Sequence, residues 1–241
     1  MLPTYSANVT APAPFVGDCS WGLNGGSFPQ AGLGNFPPVW GRTLVGGGAA
    51  IGCVQDAVAN SDIIQIKRGA GPAIAPAAIQ ADRFYLETNG TEGIIFSGVP
   101  AGINLGEIWT YLHHVYFVTT ENFDGQTVPV LTRMELRNQN GPVMQSNVLL
   151  DGIERIRFYY GVDLDSDNEI DSYIAANNMP AALWQADARV LAVRVFVLVR
   201  AVRPDANYLN ENSYDLGDGV AFVPDDNFRR MLFSSTVNVV N

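Results

Sequence analysis

Charged side chains are scarce in this chain, and basic side chains are the scarcest. Only 14 of 241 residues are Lys or Arg, against 24 Asp or Glu, which gives a formal net charge of -10. Nucleic acids and anionic membrane surfaces require a basic face, so we expect neither as a partner. Apolar residues make up 47% of the chain and charged residues 16%, which predicts a packed globular core.

Long hydrophobic runs are also missing. No stretch reaches the 18 or so apolar residues of a membrane helix, and no signal peptide opens the sequence. No helical period is found before residue 50, and 24 Gly with 14 Pro favour turns and strands over long helices. If the protein is exported, we expect its targeting segment to lie outside this sequence.

A recognisable catalytic constellation is absent as well. No Ser or Cys nucleophile has an elbow motif or a nearby His, and no carboxylate pair has the context of a glycosidase. His113 and His114 are the only histidines. As neighbours in a strand they point to opposite faces, so we interpret them as ordinary strand residues. We therefore expect no enzyme.

Cysteine is limited to Cys19 and Cys53, in a region rich in Gly and Pro. A disulfide between them would close a loop of about 35 residues and stabilise it by a few kcal/mol. Two unrelated thiols are the alternative. We favour the bridge, which implies an oxidising compartment such as a periplasm or cell surface.

The rest of the chain predicts an α+β fold that is mainly β, a single antiparallel-sheet domain over residues 1–241 with large loop insertions. Residues 1–60 form a loop region pinned by the disulfide, residues 61–147 form hairpin strands, and residues 148–241 contain an acidic loop and C-terminal strands. Asn89-Gly90 and Asp124-Gly125 are typical of hairpin turns between apolar runs. A strand is predicted over 61–68, followed by a Gly/Ala/Pro linker over 69–78.

Three further segments are predicted in the C-terminal region. Residues 148–160 lead into the acidic loop, and a helical turn is predicted over 182–189. Residues 190–203 read as the longest strand, central in its sheet because both faces carry apolar side chains. The last segment, 228–240, is expected to point four apolar side chains inward: Met231, Phe233, Val237 and Val239.

The acidic loop, GVDLDSDNEID over 161–171, is the most informative segment. It places a carboxylate at every second position: Asp163, Asp165, Asp167, Glu169 and Asp171. Such a run repels itself unless it encloses a cation. Positions 1, 3, 5, 7 and 9 are those that supply oxygen ligands in an EF-hand loop, so we predict a calcium ion bound by these five residues. A solvated acidic turn is the alternative.

Details of the loop agree with an EF-hand only in part. Asn168 stands where the EF-hand has Gly and tolerates the left-handed conformation needed there. Ile170 is expected to reach into the core. Ile174 stands where the EF-hand has a bidentate Glu, so a further ligand must come from elsewhere in the chain. The candidates are Glu154, Asp215, Asp218, Asp225 and Asp226. Magnesium and zinc fit this ligand set less well.

The order of segments from 149 to 241 resembles the minor pilins of the PilW family, which belong to the bacterial type IV pilus assembly machinery. The resemblance is carried by LLDGIERIRFYYGVDLDSDNEIDSY, by Trp184 ahead of VLAVRVFVLVRA, and by FRRMLFSSTVNVVN. Weaker likeness lies in DCSWG, SDIIQIKRG and VYFVTTENFDGQTVPVLTRMEL.

The resemblance implies a pilin-like sheet against which a long N-terminal helix packs, and this sequence lacks that helix. Either the helix was removed from this form of the protein, which we favour, or a separate chain supplies it. The implied partners are other minor and major pilins, and the inner-membrane assembly platform through the missing helix. The implied location is an extracellular pilus in a Gram-negative bacterium, after a periplasmic and inner-membrane stage.

Two functions follow. The first is a minor pilin head that primes pilus assembly and is stabilised by a calcium loop; its uncovered sheet face is expected to self-associate or to bind another chain. The alternative is a calcium-dependent surface adhesin or carbohydrate-binding module that uses Trp21, Trp40 and Trp109.

Overall fold

The structure, a computed structural model, describes residues 9–46, 51–185 and 189–239. About 50% of the chain is strand and 3% is helix, so the predicted mainly-β fold is confirmed. In the described part of the chain the α-helix α1 is the single turn Ala181–Gln185, and no helix there is long and apolar enough to cross a membrane. The strands are β1 (Val9–Thr10), β2 (Val39–Thr43), β3 (Asp62–Ile74), β4 (Phe84–Thr88), β5 (Gly93–Phe96), β6 (Glu107–Phe123), β7 (Gln126–Asn138), β8 (Pro142–Asp151), β9 (Ile153–Asp163), β10 (Ser172–Ala175), β11 (Arg189–Arg200), β12 (Tyr214–Asp215), β13 (Ala221–Phe222) and β14 (Arg230–Asn238).

Strand β6 pairs with three other strands of an eight-stranded sheet. It pairs with β3 along one side; along the other it pairs first with β4 and then with β7. The hairpins predicted at Asn89-Gly90 and Asp124-Gly125 are β4–β5 and β6–β7. Asp124 and Gly125 both have positive φ, 50° and 79°, as a tight hairpin turn with the right-handed strand twist requires.

A second sheet has four strands in the order β10-β9-β11-β14. Its strand β9 packs against β3, β6 and β7, and the main core lies between the two sheets. The prediction that residues 190–203 contain a central strand is confirmed, because β11 lies between β9 and β14. It is not the longest strand, since β11 has 12 residues and β6 has 17.

Side chains of Ser61 and of Asp62, the first residue of β3, join the two sheets. Among the described residues the first half of β9 has no strand partner on the side away from β11, because β10 pairs only with residues 159–162. Side chains take the partner's place there. The Ser61 Oγ accepts the Ile156 N–H at 3.0 Å, and the Asp62 Oδ2 accepts the Phe158 N–H at 2.7 Å. Arg157 Nη1 adds an ion pair to Asp62 Oδ1 at 3.1 Å.

One segment prediction was wrong. Residues 69–74 are not a linker, because β3 continues to Ile74.

The segment 148–160 changes sheets at Gly152, which lies between β8 of the large sheet and β9 of the small one. Its φ is 80°, and a Cβ there would lie 2.5 Å from the Arg200 carbonyl oxygen, so only glycine allows this crossing. Strand β8 itself was not predicted.

The burial of the last strand was predicted wrongly. Met231, Phe233 and Val237 lie on the side of the sheet that is buried at β9, but 59%, 52% and 60% of their surface is exposed. The alternation was recognised correctly, but nothing in the described residues covers that side of β14.

The N-terminal loop is part of the core. Cys19 and Cys53 form the predicted disulfide. Gln65 of β3 makes two hydrogen bonds to the loop. Its Nε2 donates to the Cys19 carbonyl oxygen and its Oε1 accepts the Trp21 Nε1–H, both at 2.7 Å. These bonds satisfy polar groups that are shielded from solvent and attach the loop to β3.

Beneath this loop lies the only lysine of the chain, Lys67, with no exposed surface. Its Nζ donates to the Gly26 carbonyl oxygen at 3.1 Å and lies 4.1 Å from the centre of the Phe36 ring. Burial disfavours the charged amine and lowers the pKa of Lys67 to about 7. Directly opposite in β6 lies His113, whose pKa burial also lowers well below its ordinary value.

We expect the side chain of Lys67 to titrate with a pKa of about 7 in the folded protein, instead of near 10.5. NMR of protein labelled at the lysine Cε measures this directly, because the chain has one lysine. The unfolded chain binds the additional proton between these values, so stability should rise with pH from about 7 to 10.5, by up to about 1.4 kcal/mol per unit.

Lys67→Met is the control: it should lack both the resonance and this part of the pH dependence in urea unfolding. A lysine resonance that titrates near 10.5 would contradict the prediction.

Candidate metal centre and an uncovered sheet face

The acidic loop connects β9, which ends at Asp163, to β10, which begins at Ser172. These strands pair in an antiparallel register with Ser172 opposite Val162. The base of the loop is closed because the Asp171 N–H donates to the Val162 carbonyl oxygen at 3.0 Å. Residues 164–171 thus form a compact turn on a hydrogen-bonded base.

Asp163 organises the turn. It is 2% exposed, its Oδ1 accepts the Ser166 N–H at 2.6 Å and its Oδ2 accepts the Asn168 N–H at 3.0 Å. Ser166 and Asn168 both adopt the left-handed conformation, with φ of 69° and 70°. The conformation predicted for Asn168 is therefore confirmed, and it is what lets the chain fold back over Asp163.

Three of the five predicted ligands meet. Asp163, Asp165 and Asp171 each offer a carboxylate oxygen within 4.8 Å of the others. Asp171 also accepts the Leu164 N–H at 2.6 Å, which holds it beside Asp163. Asp167 and Glu169 lie outside this group, and the Asp167 Oδ1 instead accepts the Glu169 N–H at 2.8 Å.

The electrostatics of Asp165 show repulsion within the loop. A hydrogen bond from the Asp167 N–H favours the charged form of Asp165. The negative charge of Asp167, desolvation, and the charges of Asp171 and Asp163 together outweigh that bond, so the pKa of Asp165 lies above its ordinary value. A hard cation among these oxygens would remove the repulsion, and three carboxylates are suitable ligands for calcium.

The residues next to the group differ from the expectation. Ile170 does not enter the core: it is 37% exposed and covers Gly161, where a Cβ would lie 3.0 Å from the Ile170 Cδ1. Ile174 lies in β10 and packs against the core. Gly161 lets the loop fold this closely onto β9, because a Cβ there would press on the side chains of Ile170 and Tyr173.

None of the more distant acidic residues joins the group in the described part of the chain. Glu154 and Asp226 both bind Arg230, Asp218 binds Arg157, and Asp215 accepts backbone N–H groups of Gly217 and Gly219. Asp225 is likewise outside it. Glu154 lies at the start of β9 and Asp163 at its end, about 30 Å apart at the rise of a strand.

The aromatic residues proposed for carbohydrate binding do not form an open platform. Trp21 and Trp40 stack on each other with ring centres 4.8 Å apart, and Trp21 also contacts Trp184 edge-on. Trp40 is 6% exposed, so this stack belongs to the core. Trp109 lies in β6, against Gly69.

The structure also reveals a surface on the four-stranded sheet, which we name the apolar half-face: Val193, Val195, Val197 and Val199 of β11 with Met231, Phe233 and Val237 of β14. Cross-strand register places these residues on the side of the sheet that carries Phe158 and Tyr160 of β9. The buried fraction of the side chains decreases from β9 to β14. Strand β9 is covered, the β11 valines are half-buried and the three β14 residues are exposed. The sequence pattern placed the β14 residues on this face but predicted that they are buried.

Residues 115–241 match the family described as Type IV Pilus-assembly protein W, which is more than half of the chain. The match begins within β6 and includes the acidic loop and the apolar half-face. No curated protein and no solved structure matches the chain.

The geometry predicts unequal roles for the loop carboxylates even without metal. In EDTA, Asp163→Ala should lower the free energy of unfolding by about 2 to 3 kcal/mol, because two backbone N–H groups lose a charged acceptor. Asp167→Ala is the matched control and should change it by about 0.5 kcal/mol or less. Urea unfolding measures both; equal losses would contradict the role of Asp163 as organiser.

Proposed function

The chain belongs to the PilW family of type IV pilus-assembly proteins, and from this membership we propose that it is the head of a minor pilin that primes pilus assembly. The family places the protein in type IV pilus assembly, at the cell surface or in the periplasm. The apolar half-face is the observation on which the proposal depends.

A sheet face of this kind is costly to leave in water. Each fully buried Val, Met or Phe side chain contributes about 1.5 to 3 kcal/mol, and Met231, Phe233 and Val237 are more than half exposed. These residues lie side by side with the β11 valines. The occupant we propose is an apolar pilin helix, because a helix packed on a sheet buries one apolar stripe of each.

Charge supports this occupant. The half-face contains no charged residue, so a helix without charged side chains would leave no ion unpaired when it binds. The acidic residues of the loop, and the ion pairs of Glu154, Asp218 and Asp226, are not part of it. Contact with other pilus components would then follow from the helix, which brings the head to the inner-membrane assembly platform and to other pilins.

We further propose that Asp163, Asp165 and Asp171 hold a calcium ion. The Asp163 and Asp171 hydrogen bonds already form the turn, so an ion would bind largely preorganised oxygens. The remaining ligands would be water or nearby carbonyl oxygens, as calcium accepts. An ion there would fasten the end of β9, the covered strand from which the half-face extends.

Calcium should raise the melting temperature of the metal-free protein. At a hundredfold excess over Kd, binding adds about 2.7 kcal/mol, which corresponds to about 5 °C or more for a chain of this length. Asp165→Asn should weaken calcium binding at least tenfold by isothermal titration, because one charged ligand is lost while the acceptor for the Asp167 N–H remains.

Asp167→Asn is the matched control. Its calcium Kd should stay within about threefold of that of the unmodified protein, because Asp167 is not one of the proposed ligands. An unchanged melting temperature in millimolar calcium, or equal weakening by the two substitutions, would contradict the site.

The double substitution Met231→Ser and Phe233→Ser tests the half-face. The head should keep its urea midpoint nearly unchanged, because both side chains are exposed, whereas cells with the variant should lose most of their pili by electron microscopy. Val220→Ser removes an equally exposed apolar side chain, 69% exposed, outside the half-face, and should leave piliation intact. Normal piliation in the double variant would reject the docking role.

A further inference from the structure

The outer edge of β14 is unpaired in the described part of the chain, where its one partner strand is β11. The Val239 N–H donates to the Leu191 carbonyl oxygen at 2.7 Å, and the Ala201 N–H donates to the Arg229 carbonyl oxygen at 2.9 Å. Odd-numbered residues of β14 therefore bond to β11. The N–H and C=O groups of even-numbered residues, with Ser234 in the middle, point away from the sheet.

This edge has none of the features that protect sheet edges. From Met231 to Val239 there is no charged residue, no Pro and no Gly. The register with β11 runs from Arg200↔Arg230 to Ala192↔Asn238 without a bulge. By contrast β1, β2 and β10 have two, five and four residues, and the edge strand β8 contains a register shift. An exposed edge of nine residues, with no charge after the buried Arg230 side chain, is a template for another strand.

We propose that β14 pairs with β14 of a second copy of this chain, antiparallel, with Ser234 on the two-fold axis. Ser234 is the midpoint of Arg230–Asn238, and its backbone groups point outward, so all nine residues find partners in this register. Met231 would lie opposite Val237 of the other copy and Phe233 opposite Ser235, so apolar side chains meet no charge.

Charge favours a second copy at this edge. Two molecules of net charge -10 repel each other on average, and residues 231–238 of β14 add no charge to a contact between them. The one charged residue of the strand, Arg230, is already neutralised by Glu154 and Asp226 within its own molecule. The paired sheets would form one continuous sheet of eight strands from two four-stranded halves.

The interface is expected to be weak when only the edges meet. A strand of nine residues is about 30 Å long, and one strand pair buries less than the roughly 1,600 Å² of a standard interface. The association is thus reversible and concentration-dependent. It uses backbone groups of the edge, whereas the helix proposed above would use side chains of the apolar half-face, so either contact can fail without the other.

Charged substitutions of Ser234, the residue on the proposed two-fold axis, test this dimer. By sedimentation equilibrium over a concentration series, the unmodified protein should form dimers. Ser234→Lys and Ser234→Glu should each remain monomeric, because like charges would lie directly opposite each other at the axis. An equimolar mixture of the two variants should dimerise at least as tightly as the unmodified protein.

Ser213→Lys, at another exposed serine, is the matched control and should dimerise normally. Ser234→Pro should also abolish dimers without lowering the unfolding midpoint, because the N–H it removes points outward. Three results would overturn the proposal: a monomeric unmodified protein at every concentration, dimers of Ser234→Lys alone, or a monomeric mixture of the two charge variants. Dimers lost through Met231→Ser and Phe233→Ser but kept by Ser234→Lys would assign the contact to the half-face instead.

Discussion

A buried carboxylate holds the two sheets of this protein together. Asp62 is 1% exposed, accepts the backbone N–H of Phe158 and forms an ion pair with Arg157. Ser61 accepts the N–H of Ile156, which also points away from β11. Burial raises the pKa of Asp62 above its ordinary value even though these partners lower it, so this junction requires all of its donors. This junction fixes β9 against the large sheet. The described residues bury β11 less than β9, and β14 less than β11. The half-face and the free edge both follow from that placement.

The acidic residues at the two ends of β9 are arranged differently, so the ion pairs of Arg230 and the candidate metal site lie at opposite ends of the strand. Near its start, Glu154 and Asp226 surround Arg230 and are fully engaged. At its end, Asp163, Asp165 and Asp171 each bring a carboxylate oxygen within 4.8 Å of the others. A metal at that end and a helix along the half-face would act on the same strands from different directions. The Cys19–Cys53 disulfide suits a protein that works where thiols are oxidised.

Much of the fold could be predicted because its signals are local. The Asn-Gly and Asp-Gly turns, the alternation along β11 and the left-handed Asn168 each depend on a few neighbouring residues. The failures have the opposite cause. Nothing in VLLDGIERIRFYY marks a change of sheet at Gly152, because the need for a glycine arises from the Arg200 carbonyl oxygen, distant in sequence. Lys67 gave no signal either, since its burial depends on a loop some 40 residues earlier folding over it.

The amino-acid order was sufficient to establish a mainly-β chain, its hairpins and a ladder of five carboxylates, since strand period and turn chemistry act over a few residues. Long-range packing decided that Cys19 meets Cys53, that three of those carboxylates meet, that Ile170 stays at the surface and that Met231, Phe233 and Val237 stay exposed. Alternation divides a strand into two faces, but which face is buried depends on what the remainder of the chain places against it.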